Sequence, residues 1–172
     1  MHDSLTGLPN RRLLMDRLSL ASAHARRNKS TMAVMYLDLD GFKQVNDTLG
    51  HDAGDSLLKM VADRLVEAVR QEDTVARMGG DEFVIALGEL THAGDVDSLV
   101  SKVIQAVSQP YRIQDRDVGV TASVGVGIFP LHGEGAETLM KSADLALFEA
   151  KRSGKNDYRI AERTELLLRK RN

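Results

Sequence analysis

The sequence contains no cysteine. Without thiols it can form neither a disulfide nor a thiolate metal site, so any bound metal would be held by oxygen or imidazole ligands. No apolar run approaches the roughly 20 residues of a membrane span, and the first residues lack the pattern of a signal peptide. The formal net charge is only −2, which argues against nucleic acid or an anionic membrane surface as a partner. These absences predict a cytoplasmic segment that neither inserts into a membrane nor binds nucleic acid.

What is present is typical of one soluble globular domain. The chain has 172 residues, of which 42% are hydrophobic and 28% are charged, enough to build one core. No repeat or low-complexity tract interrupts residues 1–160, which we assign to a single domain. Residues 161–172 are charged and contain three consecutive leucines, which predicts a helical tail or linker. Both ends look truncated, so we expect a larger protein around this segment, either soluble or attached to a membrane.

Apolar periodicity predicts a mixture of helices and strands. Helical spacing predicts helices over 10–28, 52–70, 95–108 and 137–153, the first of them capped by Asn10. Apolar or alternating runs predict strands over 31–37, 74–78, 83–87, 111–114, 118–129 and 158–160. We therefore expect an α/β sandwich of the α+β type, in which helices flank a mixed, mostly antiparallel central sheet. An additional β-hairpin is expected around residues 115–117.

The longest predicted strand, 118–129, has two unlike faces. One face carries valine, alanine and isoleucine, and the other carries Gly119, Thr121, Ser123, Gly125 and Gly127. A face of such small residues suits the close packing of a helix or of a partner backbone.

Acidic side chains follow two of the predicted strands. Asp38 and Asp40 end the apolar run 31–37, and Asp81 and Glu82 follow the turn Gly79-Gly80. Glycine reaches positive φ without steric cost, so the Gly-Gly pair predicts a tight hairpin. Two interpretations stay open at this point. The acids are either solvated turn residues, or they hold a metal while the glycines let a ligand approach the backbone.

Four segments, in order along the chain, resemble the GGDEF family of diguanylate cyclases. They are DSLTGLPNRR at 3–12, the run 38–55 with DLDGFK, ND and GHDAGD, GGDEF at 79–83, and the run 143–156 with ADLALFEAK and GKN. The resemblance covers about residues 3–160. It implies a palm-like, ferredoxin-like fold similar to that of polymerases and adenylate cyclases. One pentapeptide would be a weak signal, whereas four ordered segments are specific.

The resemblance also implies the metal site. The implied ligands are Asp38, the carbonyl of Leu39, and Asp81, which would hold two Mg²⁺ ions, or Mn²⁺ in their place, in each active site. Two hard cations accelerate an in-line displacement by binding the attacking and leaving oxygens. Asp81 is the implied candidate for activating the 3′-hydroxyl, with Glu82 and Lys43 as further catalytic residues. The residues alone do not separate the roles of Asp81 and Glu82.

Substrate-binding residues follow from the same motifs. Asp55 can accept from the N1–H and the exocyclic amine of guanine, and Asn46 offers both a donor and an acceptor. An acid in the first turn of a helix, however, is also explained by the helix dipole. His51 matches a nucleotide contact, although a structural role at a helix entry is an equal alternative. The implied phosphate contacts are Phe42, Lys43, Gly79, Gly80, Lys151 and Lys155. Lys155 stands where arginine is frequent in the family, so the charge remains but the bidentate fork is lost.

The resemblance implies an enzyme that condenses two GTP molecules into cyclic di-GMP and two pyrophosphates. Each domain would hold one GTP, and a homodimer would bring two GTP molecules face to face. Arg70 and Asp73 match the RxxD pattern of the family's inhibitory product site, although an Arg and an Asp three residues apart are ordinarily solvated. The alternative is a non-catalytic module that binds GTP or cyclic di-GMP and regulates a neighbouring domain, such as a downstream phosphodiesterase.

Overall fold

The computed structural model describes residues 1–92 and 94–162. Within them the helices are α1 (Arg11–Asn28), α2 (Phe42–Leu49), α3 (His51–Ala68), α4 (Asp95–Ser108) and α5 (Ala136–Arg152). The strands are β1 (Thr31–Asp40), β2 (Thr74–Gly79), β3 (Glu82–Leu90), β4 (Tyr111–Ile113), β5 (Arg116–Val118), β6 (Thr121–Phe129) and β7 (Tyr158–Ile160). No helix in these two ranges is long and apolar enough to cross a membrane.

The central sheet has the strand order β2-β3-β1-β6-β7, and β4 and β5 form a separate two-stranded hairpin. Strand β1 pairs antiparallel with both β3 and β6, whereas β6 and β7 run parallel. The acids at the end of β1 therefore lie at the middle of the sheet, with Asp38 opposite Glu82 on one side and Ser123 on the other. The predicted fold class, a mixed and mostly antiparallel sheet flanked by helices with an extra hairpin, is confirmed.

Two apolar layers cover the sheet. Helices α3 and α4 pack on one face, around Leu37, Ile85 and Val124. Helices α1 and α5 pack on the other face, around Val34 and Val84. The small face of β6 meets α5 as expected, because a Cβ on Gly125 would lie 2.0 Å from the carbonyl oxygen of Ala143. Glycine is thus required at that position for helix and strand to touch.

Two segments of the structure differ from the sequence prediction. One predicted strand is broken into two, and one helix was not predicted. Residues 118–129 form two strands, since Val118 ends β5 in the hairpin and Thr121 begins β6 in the central sheet. The alternation runs through the break because Val118 and Val120 are both buried. Helix α2 was not predicted, since only eight residues separate its flanking glycines, Gly41 and Gly50. The tail predicted over 161–172 lies outside the described residues from position 163 onward.

Candidate active site

The hairpin turn folds over the end of β1. Gly79 and Gly80 both have positive φ, at 137° and 49°, and allow the chain to reverse between β2 and β3. The backbone N–H of Leu39 donates to the carbonyl of Asp81 at 3.2 Å, which fixes the turn against β1. Asp38 and Asp81, which are far apart in sequence, thereby become neighbours.

The two carboxyls influence each other strongly. Burial and the negative charge of Asp38 raise the pKa of Asp81 to about 6 from its ordinary 3.8. Lys151 of α5 forms an ion pair with Asp38, with 2.5 Å between its Nζ and the Asp38 Oδ2. Burial alone would lower the pKa of Lys151, but its hydrogen bond to Asp38 and the nearby acids raise it overall. Asp38 therefore lies between a lysine, with which it forms an ion pair, and a second acid.

The donor set fits a hard divalent cation. The Asp38 Oδ1 is buried and has no hydrogen-bond partner in the described part of the chain, an arrangement that ordinarily carries an energetic cost. Within residues 1–92 and 94–162 no three His, Asp or Glu side chains form a cluster that could hold a metal. Two carboxylates and a backbone carbonyl such as that of Leu39 suit Mg²⁺, which binds through one or two carboxylates and keeps several waters.

The structure separates the two adjacent acids of the turn. Asp81 faces Asp38, whereas the Glu82 Oε2 accepts from the Tyr36 hydroxyl at 3.1 Å. Burial and the charge of Glu82 raise the pKa of Tyr36 to about 12, so this phenol remains a donor at neutral pH. Of the two acids in the turn, only Asp81 is therefore placed beside Asp38, while Glu82 is oriented by its hydrogen bond to Tyr36.

The implied guanine-reading residues lie together where α2 meets α3. Asn46 is on α2, and its side-chain oxygen lies where a Cβ on Gly54 would be, at 1.8 Å. That oxygen is buried without a hydrogen-bond partner in the described residues. Asp55 follows Gly54 and is exposed, as is His51 at the start of α3. Gly54 thus makes room for an amide next to a carboxylate, a combination that can read guanine.

The implied phosphate contacts come from three elements. Lys43 is exposed in the first turn of α2, and Phe42 beside it is half-buried against the core. Lys151 is near the end of α5 and points to Asp38. Lys155 is exposed in the loop before β7, with a positive φ of 64°. Gly79 and Gly80 supply the turn on the other side of the acid pair.

Asp40, which the sequence left as either a solvated turn acid or a metal ligand, instead binds neighbouring protein groups. Its carboxylate accepts from the Thr121 hydroxyl at 2.8 Å, the Ser123 hydroxyl at 2.8 Å and the backbone N–H of Asn156 at 3.1 Å. These bonds fasten β1 to β6 and to the loop that carries Lys155. The hydroxyls of Thr121 and Ser123 on the small face of β6 could have indicated such a contact from the sequence, because a buried hydroxyl needs a hydrogen-bond partner.

Arg77 is a second residue that sequence reasoning missed. Its guanidinium donates to the Gly80 carbonyl at 2.9 Å and to Asp3 Oδ1 at 2.9 Å. Its backbone N–H also bonds the carbonyl of Pro9 at 3.1 Å. Arg77 therefore connects the Gly79-Gly80 turn to the amino-terminal segment. No local pattern indicates this contact, since its partner Asp3 lies 74 residues away.

The two residues of the RxxD pair are bonded to each other and to the neighbouring strand. The Asp73 side chain is fully buried, and it accepts from the backbone N–H groups of Arg70 and Gly88, both at 2.9 Å. The Arg70 guanidinium contacts Asp73 and the carbonyl of Glu89, with 40% of its side chain exposed. Asp73 is therefore a structural cap in this state, and Arg70 supplies the accessible group.

The sequence and the fold of this chain match known proteins over nearly the whole of the chain. Residues 1–157 match the family described as diguanylate cyclase, GGDEF domain. The bifunctional diguanylate cyclase/cyclic di-GMP phosphodiesterase MucR of Pseudomonas aeruginosa is 46% identical over 158 residues. The cyclic di-GMP phosphodiesterase NbdA of the same organism is 42% identical over 168 residues. A solved structure of the GGDEF domain of TpbB (YfiN), also from P. aeruginosa, superposes with a TM-score of 0.93 at 36% identity, covering 99% of each chain.

The match covers this chain but not the whole of its curated relatives. It includes 92% of the chain and 23% of MucR, and 98% of the chain and 21% of NbdA. The chain thus spans less than a quarter of the length of either protein.

Proposed function

This chain belongs to the GGDEF family of diguanylate cyclase domains, and we propose from that premise that it condenses two GTP molecules into cyclic di-GMP, releasing two pyrophosphates. One observation carries the proposal. Asp38 and Asp81 converge at the middle of the sheet, and a buried oxygen of Asp38 lacks a hydrogen-bond partner among the described residues. Paired acids in which burial and a neighbouring carboxyl raise the pKa of one to about 6 are typical of functional sites.

We propose that two Mg²⁺ ions, which Mn²⁺ could replace, are held by Asp38, Asp81 and the carbonyl of Leu39. When bound, they would supply charge neutralisation and orient the attacking and leaving oxygens of an in-line displacement. Lys151, paired with Asp38, would hold that carboxylate in place and add positive charge beside the phosphates. Asp81, at the turn beside Asp38, would take the proton of the 3′-hydroxyl.

The chain's own side chains would orient the substrate. Asn46 and Asp55 would read guanine where α2 meets α3, with His51 at the edge. Lys43, Lys151 and Lys155 would bind the triphosphate, and the turn at Gly79 and Gly80 would leave room for it. Because one such site holds one GTP, cyclic di-GMP formation would require two copies of the chain to meet face to face.

Product inhibition is proposed to act through Arg70. Its half-exposed guanidinium could bind a guanine edge or a phosphate of cyclic di-GMP, while Asp73 keeps the loop in shape. Replacing Arg70 by Ala should weaken inhibition by added cyclic di-GMP at least tenfold without removing turnover. Unchanged inhibition would exclude Arg70 from the product site.

The test of the main proposal is chromatography of the products formed from GTP and Mg²⁺ at high protein concentration. Wild-type protein should form cyclic di-GMP, and Asp81→Asn should form none while retaining its circular dichroism spectrum and its affinity for GTP measured without cations. If the wild type forms no product at any concentration that yields dimers, the proposal is wrong.

A second candidate is a non-catalytic regulatory module that binds GTP or cyclic di-GMP. The observation that favours it is the 42% identity to NbdA, a protein named only as a phosphodiesterase. This candidate predicts GTP binding without turnover by the wild type, and unchanged binding after Asp81→Asn.

A further inference from the structure

A large open cleft separates α1 from α5 on the face of the sheet that these two helices cover. We call it the α1–α5 cleft; its volume is about 900 Å³. Its floor consists of buried or half-buried side chains, Met15, Tyr36, Met78 and Met140. Its two edges carry exposed charged side chains, which are Arg11 and Arg12 on the α1 edge and Glu137, Lys141 and Asp144 on the α5 edge.

The two edges differ in charge. The α1 edge has two arginines and no acid in the first turn of the helix, and the amino-terminal end of the helix dipole adds positive potential. The α5 edge has two acids and one lysine, so its net charge is negative. Among the residues that the structure describes, none of these five side chains forms a hydrogen bond or an ion pair. The cleft thus keeps complementary charges apart within one copy of the chain.

A surface with one positive and one negative edge is complementary to itself. When two copies meet about a two-fold axis, the α1 edge of one copy faces the α5 edge of the other, and the same contact forms a second time. Opposite charges placed in this way steer two copies together and select one orientation. The partner that best fits the cleft edges is therefore a second copy of this chain.

Apolar side chains extend the α5 edge. Leu145 and Phe148 are exposed to 48% and 59%. Each lies four residues after a charged residue of the edge, Lys141 or Asp144, and so shares its side of the helix. Large apolar side chains that lie together on a surface are typical of protein contacts. They would supply the part of the contact that excludes water.

This surface lies next to the acid pair. Phe148 precedes Lys151 by three residues, so the two side chains are neighbours on α5, and the Lys151 Nζ lies 2.5 Å from the Asp38 Oδ2. On the other side, Gly79 lines the cleft and belongs to the same turn as Asp81. A second copy that contacts this surface would therefore lie close to both carboxyls.

We propose that the two edges of the α1–α5 cleft form the contact between two copies of the chain, with Arg11 and Arg12 of one copy facing Glu137 and Asp144 of the other. The inference rests on the proposed function, which needs two copies but does not say which surfaces meet. Exposed ion pairs contribute little each and are screened by salt. The contact is therefore weak enough for two copies to separate and release their product.

Charge reversal in separate copies tests the contact. The α1 variant carries Arg11→Glu and Arg12→Glu, and the α5 variant carries Glu137→Arg and Asp144→Arg. Each variant alone would place like charges opposite each other, so turnover of GTP at concentrations that limit dimer formation should fall at least about tenfold. An equal mixture should recover about half of the wild-type rate, because half of all random pairings are mixed dimers. In a mixed dimer one contact joins two reversed edges and the other joins two native edges.

Sedimentation velocity gives a readout that does not depend on turnover. The probe is 3′-deoxyguanosine 5′-triphosphate with Mg²⁺, which lacks the attacking hydroxyl and cannot be condensed. The wild type and the mixture should form dimers that high salt weakens, whereas each variant alone should remain monomeric with an unaltered circular dichroism spectrum. The matched control carries Arg27→Glu and Lys102→Glu, the same change of charge at exposed positions outside the cleft. It should leave dimer formation and turnover unchanged.

The outcomes separate this proposal from the proposed reaction. A mixture that stays as inactive and as monomeric as its components would overturn the contact, even where the wild type makes cyclic di-GMP, since mixing cannot restore an interaction within one copy. Variants that dimerise as well as the wild type, or a control that loses its dimer equally, would also overturn it. Recovery of dimers in the mixture, in a protein that forms no cyclic di-GMP, would support the contact and refute the reaction.

Discussion

Replacing Asp81 by Asn should stabilise the protein when divalent cations are absent. The Asp81 carboxyl is destabilised in its charged form by burial and by Asp38, which is why its pKa lies near 6. An amide has no charge to repel Asp38, and its N–H₂ group can donate to that carboxylate. A substitution that is expected to abolish activity should therefore raise the melting temperature, which is the opposite of the usual effect of mutation.

The size of this effect follows from the pKa. A rise from 3.8 to about 6 corresponds to about 3 kcal/mol at about 1.4 kcal/mol per pH unit. Asp81 is partly exposed, so solvent screening reduces the expected gain to about 1–1.5 kcal/mol. For a domain of this size that is about 2–5 °C in melting temperature.

The sign depends on pH. A raised pKa in the folded state gives the wild type a stability contribution that is fully present below pH 3.8 and is lost as pH rises through about 6. Asp81→Asn has no such loss. The two proteins should therefore differ most near pH 8 and converge as pH falls from about 6 towards 3.8.

Differential scanning fluorimetry in EDTA, from pH 4.5 to 8, measures this difference. Asp47→Asn, an exposed aspartate on α2, is the control and should shift little at any pH. Adding millimolar Mg²⁺ should stabilise the wild type and reduce or reverse the advantage of Asp81→Asn. An Asp81→Asn protein that melts at or below the wild-type temperature at pH 8 in EDTA would refute the reasoning.

Three further predictions concern the residues that hold the site in shape. Asp40→Ala removes three hydrogen bonds and should lower the free energy of unfolding, measured in urea, by about 2–3 kcal/mol. It should also weaken GTP binding more than GMP binding, because the loop carrying Lys155 is released. Arg77→Lys keeps the charge but loses the planar guanidinium that bridges Gly80 and the amino-terminal segment. We expect kcat to fall about tenfold with little change in GTP affinity. An unchanged kcat would exclude a positioning role. Gly54→Ala places a methyl group 1.8 Å from the Asn46 side-chain oxygen, so calorimetry should show GTP affinity reduced about tenfold or more, whereas an unaltered affinity would place guanine elsewhere.

Local signals in the sequence were sufficient for most of the fold. Asn10 was predicted as a helix cap, and its side chain accepts from the backbone N–H of Leu13 at 3.0 Å. The Gly79-Gly80 turn was predicted between two strands, and those strands form the hairpin. Both signals depend on conformational preferences of a few adjacent residues, which tertiary packing did not override. Residues 118–129 were misread because burial continues on both sides of the break between β5 and β6.

The site was predictable as a set of residues but not as a set of contacts. The motifs named Asp38 and Lys151, yet only the packing of α5 against β1 brings them within 2.5 Å. The structural burial of Asp73 was also hidden, because its second donor, Gly88, belongs to the neighbouring strand. Contacts of this kind depend on sheet register and helix placement, which no short sequence window contains.

The central claim is that Asp38 and Asp81 together hold the cations that bind the phosphates of GTP. The most direct measurement is the electron paramagnetic resonance signal of free Mn²⁺, titrated into protein with GTP at concentrations too low for dimers to react. The account predicts about two Mn²⁺ ions bound per copy of the wild type, and a clear loss in Asp38→Asn and in Asp81→Asn. Binding of the same number of Mn²⁺ ions by all three proteins would contradict it.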